Sequence, residues 1–402
     1  MERPDAGDLT TPDAVRVKKM GQNVLLVQRR MPKYRLRLFD KMRESLEKNE
    51  LVLELVHGTP DRKEILRRDE GILPWATRIR CMYFRLGNTQ LVYQPIPSYL
   101  LKNKDLIIVP HENRLLFNYL LLIRHHYGGP RIAFFGHGAN FQAKESHSYR
   151  EKIKQLTARK ADWWFAYTSL SVARVIESGF PEQRITCVNN TVEVSQLIEF
   201  QKSITPDELY ALRQALGLMG NNVGIFIGSL YGDKRPSFLF SAANELRRRL
   251  RDFELIMIGD GPLRDKVHMF AATRPWVRWV GEKHGREKVL HISLGKVMLN
   301  PGLVGLGILD SFALGIPMIT TDCGIHSPEI AYLESGRNGI MTPDNLDAYV
   351  SAAENLFIND QLRKQMSSAC AEDAKRYSLD KMVDNFCEGI FKALDVKPLH
   401  KQ

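Results

Sequence analysis

The stretch Asn300-Pro-Gly-Leu-Val-Gly-Leu-Gly-Ile-Leu-Asp310-Ser-Phe-Ala-Leu-Gly-Ile-Pro317 decides how this chain folds. The apolar run 296–300 leading into it reads as a buried strand, and 306–314 within it reads as a helix. Gly302, Gly305 and Gly307 lie between the two. Glycines there let backbone N–H groups approach a bound anion, and they equally let a loop pack closely. Asp310 falls about one turn into the helix, where a carboxylate either caps the helix or accepts hydrogen bonds from a ribose diol. Strand, glycine loop and helix together form the repeating unit of a parallel sheet with helical crossovers.

The unit recurs on both sides. Strands are expected at 223–228, 254–258, 277–280, 317–320 and 339–342, and helices at 237–250, 263–272, 286–292, 346–357, 360–375 and 379–394. Three more junctions carry notable residues. Gly228-Ser229-Leu-Tyr-Gly-Asp-Lys234-Arg235-Pro236 is a turn ending in adjacent cations before a helix, where lysine either neutralises a phosphate or sits in solvent. Gly259-Asp-Gly261-Pro262 is a tight turn followed by a helix-starting proline, structural or ligand-binding. In Cys323-Gly-Ile-His326-Ser327-Pro328-Glu329, Ser327 reads as a helix cap with Pro328 at the first position.

The first half alternates in the same way. Strands are expected at 24–28, 51–56, 91–94, 106–109, 131–136, 163–167 and 185–188, with helices at 35–48, 114–126, 149–159 and 170–178. His137, between two glycines at a strand end, is poorly placed for the core and reads either as a turn residue or as a donor toward substrate. The polar stretch 193–207 has weak strand character and ends in the helix start Thr205-Pro206-Asp207-Glu208. The expected division is a first domain at 1–195, a second at 196–378, and a last helix within 379–402. Two doubly wound domains bind ligands at the carboxyl ends of their strands, facing the cleft between them.

Length supports this count, because 402 residues exceed one ordinary core. The 44% hydrophobic and 26% charged balance is globular. The apolar run 115–123 is too short to span a membrane, and the polar N-terminus 1–11 predicts no secretion signal. The 5 scattered cysteines lack zinc spacing, so the expectation is a reducing cytoplasm and no metal. A net charge of +11 calls for an anionic partner. Basic residues cluster from Arg29 to Arg43, with Leu36, Phe39, Met42 and Leu46 at helical spacing among them. That helix either packs on its own domain or docks on an anionic membrane, with Tyr34, Arg35, Arg37 and Lys41 on the acceptor or membrane side. No nucleic-acid module accompanies the charge, so nucleic acid is not an expected partner.

Taken in order, these markers resemble the donor domain of retaining glycosyltransferases of family 4, over residues 223–393. The segment 228–234 resembles that family's glycine–arginine–leucine turn ending in lysine, and 259–262 its glycine–proline turn. Gly302 and Asp310 fall on its pair of glutamates, and 313–317 resembles the small–x–Gly–x–Pro segment that follows. Asn190-Thr-Val-Glu193 resembles the asparagine–glycine–valine–aspartate signature that ends the N-terminal domain. The departures are Gly302 for the acid that usually touches the sugar, the shorter Asp310, and Ser229 for an arginine, with Arg235 nearby.

The resemblance implies a GT-B fold of two Rossmann-like domains facing a central cleft. It also implies a nucleoside diphosphate sugar donor and no metal or other cofactor. It gives Lys234 the donor diphosphate, Asp310 the ribose hydroxyls, and His137 the transferred sugar. It puts the backbone of Gly305, Leu306 and Gly307 under the diphosphate, with Gly228, Ser229, Arg235, Gly259, Gly261, Gly302, Leu303 and Val304 around the donor. The expected activity is hexose transfer, with retention, to a glycan or polyprenyl-linked acceptor in cell-surface polysaccharide or lipopolysaccharide synthesis. The expected location is cytoplasmic, at the inner face of the plasma membrane. The alternatives are a catalytically silent sugar-nucleotide-binding scaffold and a sugar-nucleotide epimerase or phosphorylase of the same fold.

Overall fold

The computed structural model describes residues 21–65, 69–87, 89–138 and 157–398. The N-terminal stretch 1–11 and most of the helix expected at 149–159 lie outside these residues.

The first half builds a seven-stranded sheet from β1 (Asn23–Gln28), β2 (Val52–Gly58), β3 (Thr77–Ile79), β6 (Leu106–Pro110), β7 (Arg131–Gly136), β8 (Trp163–Ala166) and β9 (Ile185–Cys187). The order is β3-β2-β1-β6-β7-β8-β9 and every pairing is parallel. The second half builds a six-stranded parallel sheet from β10 (Asn222–Ile227), β11 (Phe253–Ile258), β12 (Val277–Trp279), β13 (Val297–Leu299), β14 (Met318–Thr321) and β15 (Gly339–Thr342), in the order β12-β11-β10-β13-β14-β15. In both sheets the order reverses beside the first strand, which opens a crevice at the carboxyl edge. Central strands such as Leu106–Pro110 and Phe253–Ile258 are buried throughout, as helices on both faces require.

Two expectations fail for physical reasons. The run at 91–94 does not enter the main sheet; β4 (Met82–Leu86) and β5 (Thr89–Tyr93) pair as a separate antiparallel hairpin. The stretch 193–207 is not strand-like, because Ser195–Ser203 forms a helix whose Leu197 joins the second domain's core. Val194, Leu197 and Ile198 fall at helical spacing and pack with Phe200 and Ile204 into that core, so the apolar period there is helical. Thr205 and Glu208 then form a reciprocal capping box that starts the helix Pro206–Ala215. Ser327 precedes a 3₁₀ turn, Pro328–Tyr332, and makes no side-chain cap.

The last helix, Leu379–Asp395, returns to the first domain. Met382, Phe386, Ile390 and Ala393 are fully buried against residues of β1, β7 and β8. Phe386 stacks on Phe165, with ring centroids 4.4 Å apart, and meets Phe135 edge-on. Burying such a ring is worth about 2–3 kcal/mol. The helix Leu36–Glu47 packs on the same element through Leu38, Phe39, Met42 and Leu46. Its apolar face is therefore consumed inside the protein and does not face a bilayer.

Candidate functional site

After β10 the chain enters a 3₁₀ turn, Gly232–Lys234, and Arg235 takes a left-handed conformation (φ 52°, ψ 51°) before the helix Pro236–Arg249. This turn packs against the loop after β13. Leu303 N donates to Asp233 O at 2.8 Å, and Lys234 Nζ donates to Leu303 O at 2.6 Å. A Cβ on Gly302 would lie 2.3 Å from Asp233 O and 2.6 Å from the Lys234 carbonyl carbon. No side chain fits there, so glycine at this position is a packing requirement. Lys234 is 8% exposed, and burial pushes its pKa down to about 8. Its ammonium has no carboxylate partner among the described residues. A desolvated cation in that setting is stabilised by an anion brought beside it.

The loop itself divides into structural and uncommitted amides. Val304 N donates to His326 Nδ1 at 3.0 Å, and His326 Nε2 lies 2.7 Å from Thr321 O. These partners place the imidazole proton on Nε2, so the neutral ring props the loop. Ser327 N donates to Val304 O at 2.9 Å. The amides of Gly305, Leu306 and Gly307 donate to no described group. Within 302–307 the Leu303 and Val304 amides are engaged internally, while the Gly302 amide, like those of Gly305, Leu306 and Gly307, donates to no described group.

Asp310 lies in the first turn of the short helix Ile308–Leu314. Lys288 donates to its Oδ1 at 2.8 Å, and both side chains are largely buried. Lys288 carries no sequence motif and is visible only once the helix Gly285–Ile292 is placed. Arg235 does not stand in for the arginine absent at Ser229. Its Nη1 is committed to Asp344, to Thr321 Oγ1 at 3.0 Å and to Pro301 O at 3.4 Å, which ties the ends of β13, β14 and β15 together. Gly228, Ser229, Gly259, Asp260, Glu282 and Lys283 line a cavity of about 160 Å³ at the ends of β10 and β11. Glu282 and Lys283 follow Gly281 at the end of β12, a strand-end glycine that the sequence reading passes over. Gly259 is set by packing, since its Cβ would lie 2.0 Å from Gly228 O.

Across the cleft, His137 is exposed at the end of β7, its ring edge-on to Tyr167 at 4.3 Å. Arg35 lies beside it and is buried, which corrects its expected place on an acceptor or membrane face. Its guanidinium sits over the rings of Tyr34, Phe135 and Tyr167, and its Nη2 donates to Asn190 Oδ1 at 2.7 Å. Asn190 Nδ2 donates to Glu329 Oε1 at 2.6 Å, and Tyr332 donates to Asn190 O at 2.9 Å. Burial pushes the Glu329 carboxyl above its usual range. This relay joins the carboxyl edges of the two sheets, and the Tyr167 ring packs against both Arg35 and His137. Tyr34 is half-exposed, Arg37 is exposed 3.9 Å from Glu193, and Lys41 pairs with Asp380 of the last helix.

The geometry has counterparts. Residues 221–359 match the family described as Glycosyl transferases group 1. An alpha-D-kanosaminyltransferase of Streptomyces kanamyceticus is 27% identical over 205 residues. That match covers 49% of this chain and 52% of the relative, about half of each. Among solved structures, HepE of Anabaena in complex with UDP superposes with a TM-score of 0.66 at 14% identity, covering 92% of this chain and 99% of that one. A glycosyltransferase of Rickettsia africae gives 0.66 at 14%, covering 94% and 100%. The chain has the GT-B fold, two Rossmann-like doubly wound domains facing a cleft. Among the described residues no helix is long and apolar enough to cross a membrane.

Proposed function

We propose that this chain is a glycosyltransferase that moves a hexose from a nucleoside diphosphate sugar to an acceptor hydroxyl with retention of configuration. The observation that carries this is Lys234: a buried cation, its pKa pushed to about 8, beside uncommitted loop amides at the carboxyl edge of a parallel sheet. Its fixed charge and the amides of Gly305, Leu306 and Gly307 stabilise negative charge growing on the leaving diphosphate. Asp310 takes the ribose hydroxyls while Lys288 holds its Oδ1. The cavity of about 160 Å³ beside Gly228 and Gly259 accommodates the base. His137, on the facing domain, donates to the sugar. The match over 221–359, the kanosaminyltransferase likeness and the UDP held by HepE support this reading.

Retention is assigned to a front-side displacement, with the leaving phosphate accepting the acceptor proton. No metal ion or other cofactor takes part in this scheme. The acceptor is a glycan or a lipid-linked glycan of surface polysaccharide assembly, met at the cytoplasmic membrane face. The test is turnover of a panel of uridine, guanosine and adenosine diphosphate sugars, with the product anomer read by proton NMR. Retained transfer from at least one donor is expected. Nucleotide binding without any transfer, across a broad acceptor panel, refutes catalysis and leaves a silent binder. Conversion of a free donor without acceptor makes the chain an epimerase.

A further inference from the structure

Where β2 ends, the turn at 59–62, the strand β4 and Gln90 enclose a cavity of about 810 Å³ on the first domain. Arg62, Arg80 and Arg85 line it together with Tyr83, Phe84 and Ile65. All three arginines are exposed, and none pairs with a carboxylate among the described residues. The nearby acids are already engaged. Asp61 accepts from Glu64 N at 2.8 Å and from Gln90 Nε2 at 3.0 Å, and Arg29 and Arg30 hold Glu64 and Asp69. The cavity wall therefore presents uncompensated guanidinium groups, whose forked donors match phosphate oxygens.

Its rim is apolar. Successive outward positions of β4 are Met82, Phe84 and Leu86, exposed by 42%, 50% and 72%, and Ile65 is exposed by 60%. The outward face of a hairpin in water is ordinarily polar. Large apolar side chains bordering arginines match an amphiphile, an anionic head followed by a hydrocarbon chain. β2 lies three strand spacings from β7, roughly 14 Å. A head group at the arginines would thus stand well apart from a hydroxyl reacting near His137.

We infer that this cavity receives the phosphate or diphosphate of a lipid-linked acceptor, with the lipid lying on the Met82, Phe84 and Leu86 face and the glycan reaching across the sheet edge toward His137. The inference rests on the glycosyl-transfer reading and adds to it the acceptor class and its anchoring residues. It also moves the lipid contact from the helix Leu36–Glu47, whose apolar face is buried, to the hairpin.

The test titrates the full chain with monomeric farnesyl diphosphate, farnesol and inorganic pyrophosphate, in the native protein, in Arg80→Gln/Arg85→Gln and in Lys234→Met. Farnesyl diphosphate should bind the native chain, more weakly as salt is raised. The double arginine variant should lose about tenfold or more in affinity while keeping its melting temperature and its donor binding. Lys234→Met should leave farnesyl diphosphate binding unchanged, and each half-ligand should bind about tenfold more weakly than the whole. Equal binding by the arginine variant overturns the inference, as does loss of binding in Lys234→Met, which would put the diphosphate in the donor site. In Lys234→Met, whose donor diphosphate site is disabled, pyrophosphate binding as tightly as farnesyl diphosphate removes the lipid half. Donor titrations on the same variants report separately on the donor reading.

Discussion

Replacing Lys234 with methionine should make the protein more stable while removing its donor affinity. Burial lowers the lysine pKa from 10.5 to about 8, a difference worth roughly 3 kcal/mol of native-state cost at neutral pH. Losing the bond to Leu303 O returns about 1 kcal/mol of that. A straight apolar chain of similar length should therefore gain roughly 2 kcal/mol, or about 4–8 °C in melting temperature for a domain of this size. The pH dependence has a definite sign. The folded protein sheds this proton near pH 8 and the unfolded chain keeps it to about 10.5, so native stability rises with pH across that window. The advantage of the variant should shrink over the same range. Donor binding runs the other way, because the diphosphate needs the charged ammonium. If a bound donor restores the ordinary pKa, affinity should fall about 30-fold between pH 7 and pH 9.5 in the native protein. Lys234→Met should show no such fall beyond titration of the ligand itself. Calorimetric titration and thermal melts at several pH values measure both. A destabilised variant that still binds donor with native affinity would refute the reasoning.

Gly302→Ala should cost about 1–3 kcal/mol and at least tenfold in donor affinity, since its Cβ meets backbone of the turn that carries Lys234; melts and donor titration check it. Asp310→Asn and Lys288→Met should each weaken donor binding by about tenfold, and the double variant should lose less than the product of the two, as a double-mutant cycle would show for a directly coupled pair. Glu329→Gln should be nearly neutral at pH values below the raised pKa of the carboxyl, where burial keeps it uncharged and the amide oxygen can still accept from Asn190. Glu329→Ala should cost about 2 kcal/mol. Since the folded pKa is raised, native stability from this group falls as pH rises from about 4.5 through that pKa, and the glutamine variant should lack that fall in melts across pH.

The doubly wound architecture was readable because long apolar runs such as Phe253–Ile258 alternate with amphipathic helices and glycine turns. The strand-end positions of Lys234, Asp310 and His137 followed from the same period. The pairing of Lys288 with Asp310, the relay from Arg35 through Asn190 to Glu329, and the prop from His326 to Val304 were not readable. Each joins residues from different crossover units, and no local spacing encodes that contact. Arg35 shows the cost of local reading: its neighbours make it one cation in a basic helix, whereas the fold buries it under aromatic rings. Gly302 shows the converse. In sequence it is a missing acid, and in the structure it is the close contact that brings the loop onto the lysine turn.

The most direct measurement is a titration of the full chain at pH 7 with uridine, guanosine and adenosine diphosphates against their monophosphates, in the native protein and in Lys234→Met. One diphosphate should bind the native chain at least about tenfold more tightly than its monophosphate and lose that preference in the variant. A native chain that binds no diphosphate, or a variant that keeps the full preference, would contradict the assignment of the second domain as the donor site.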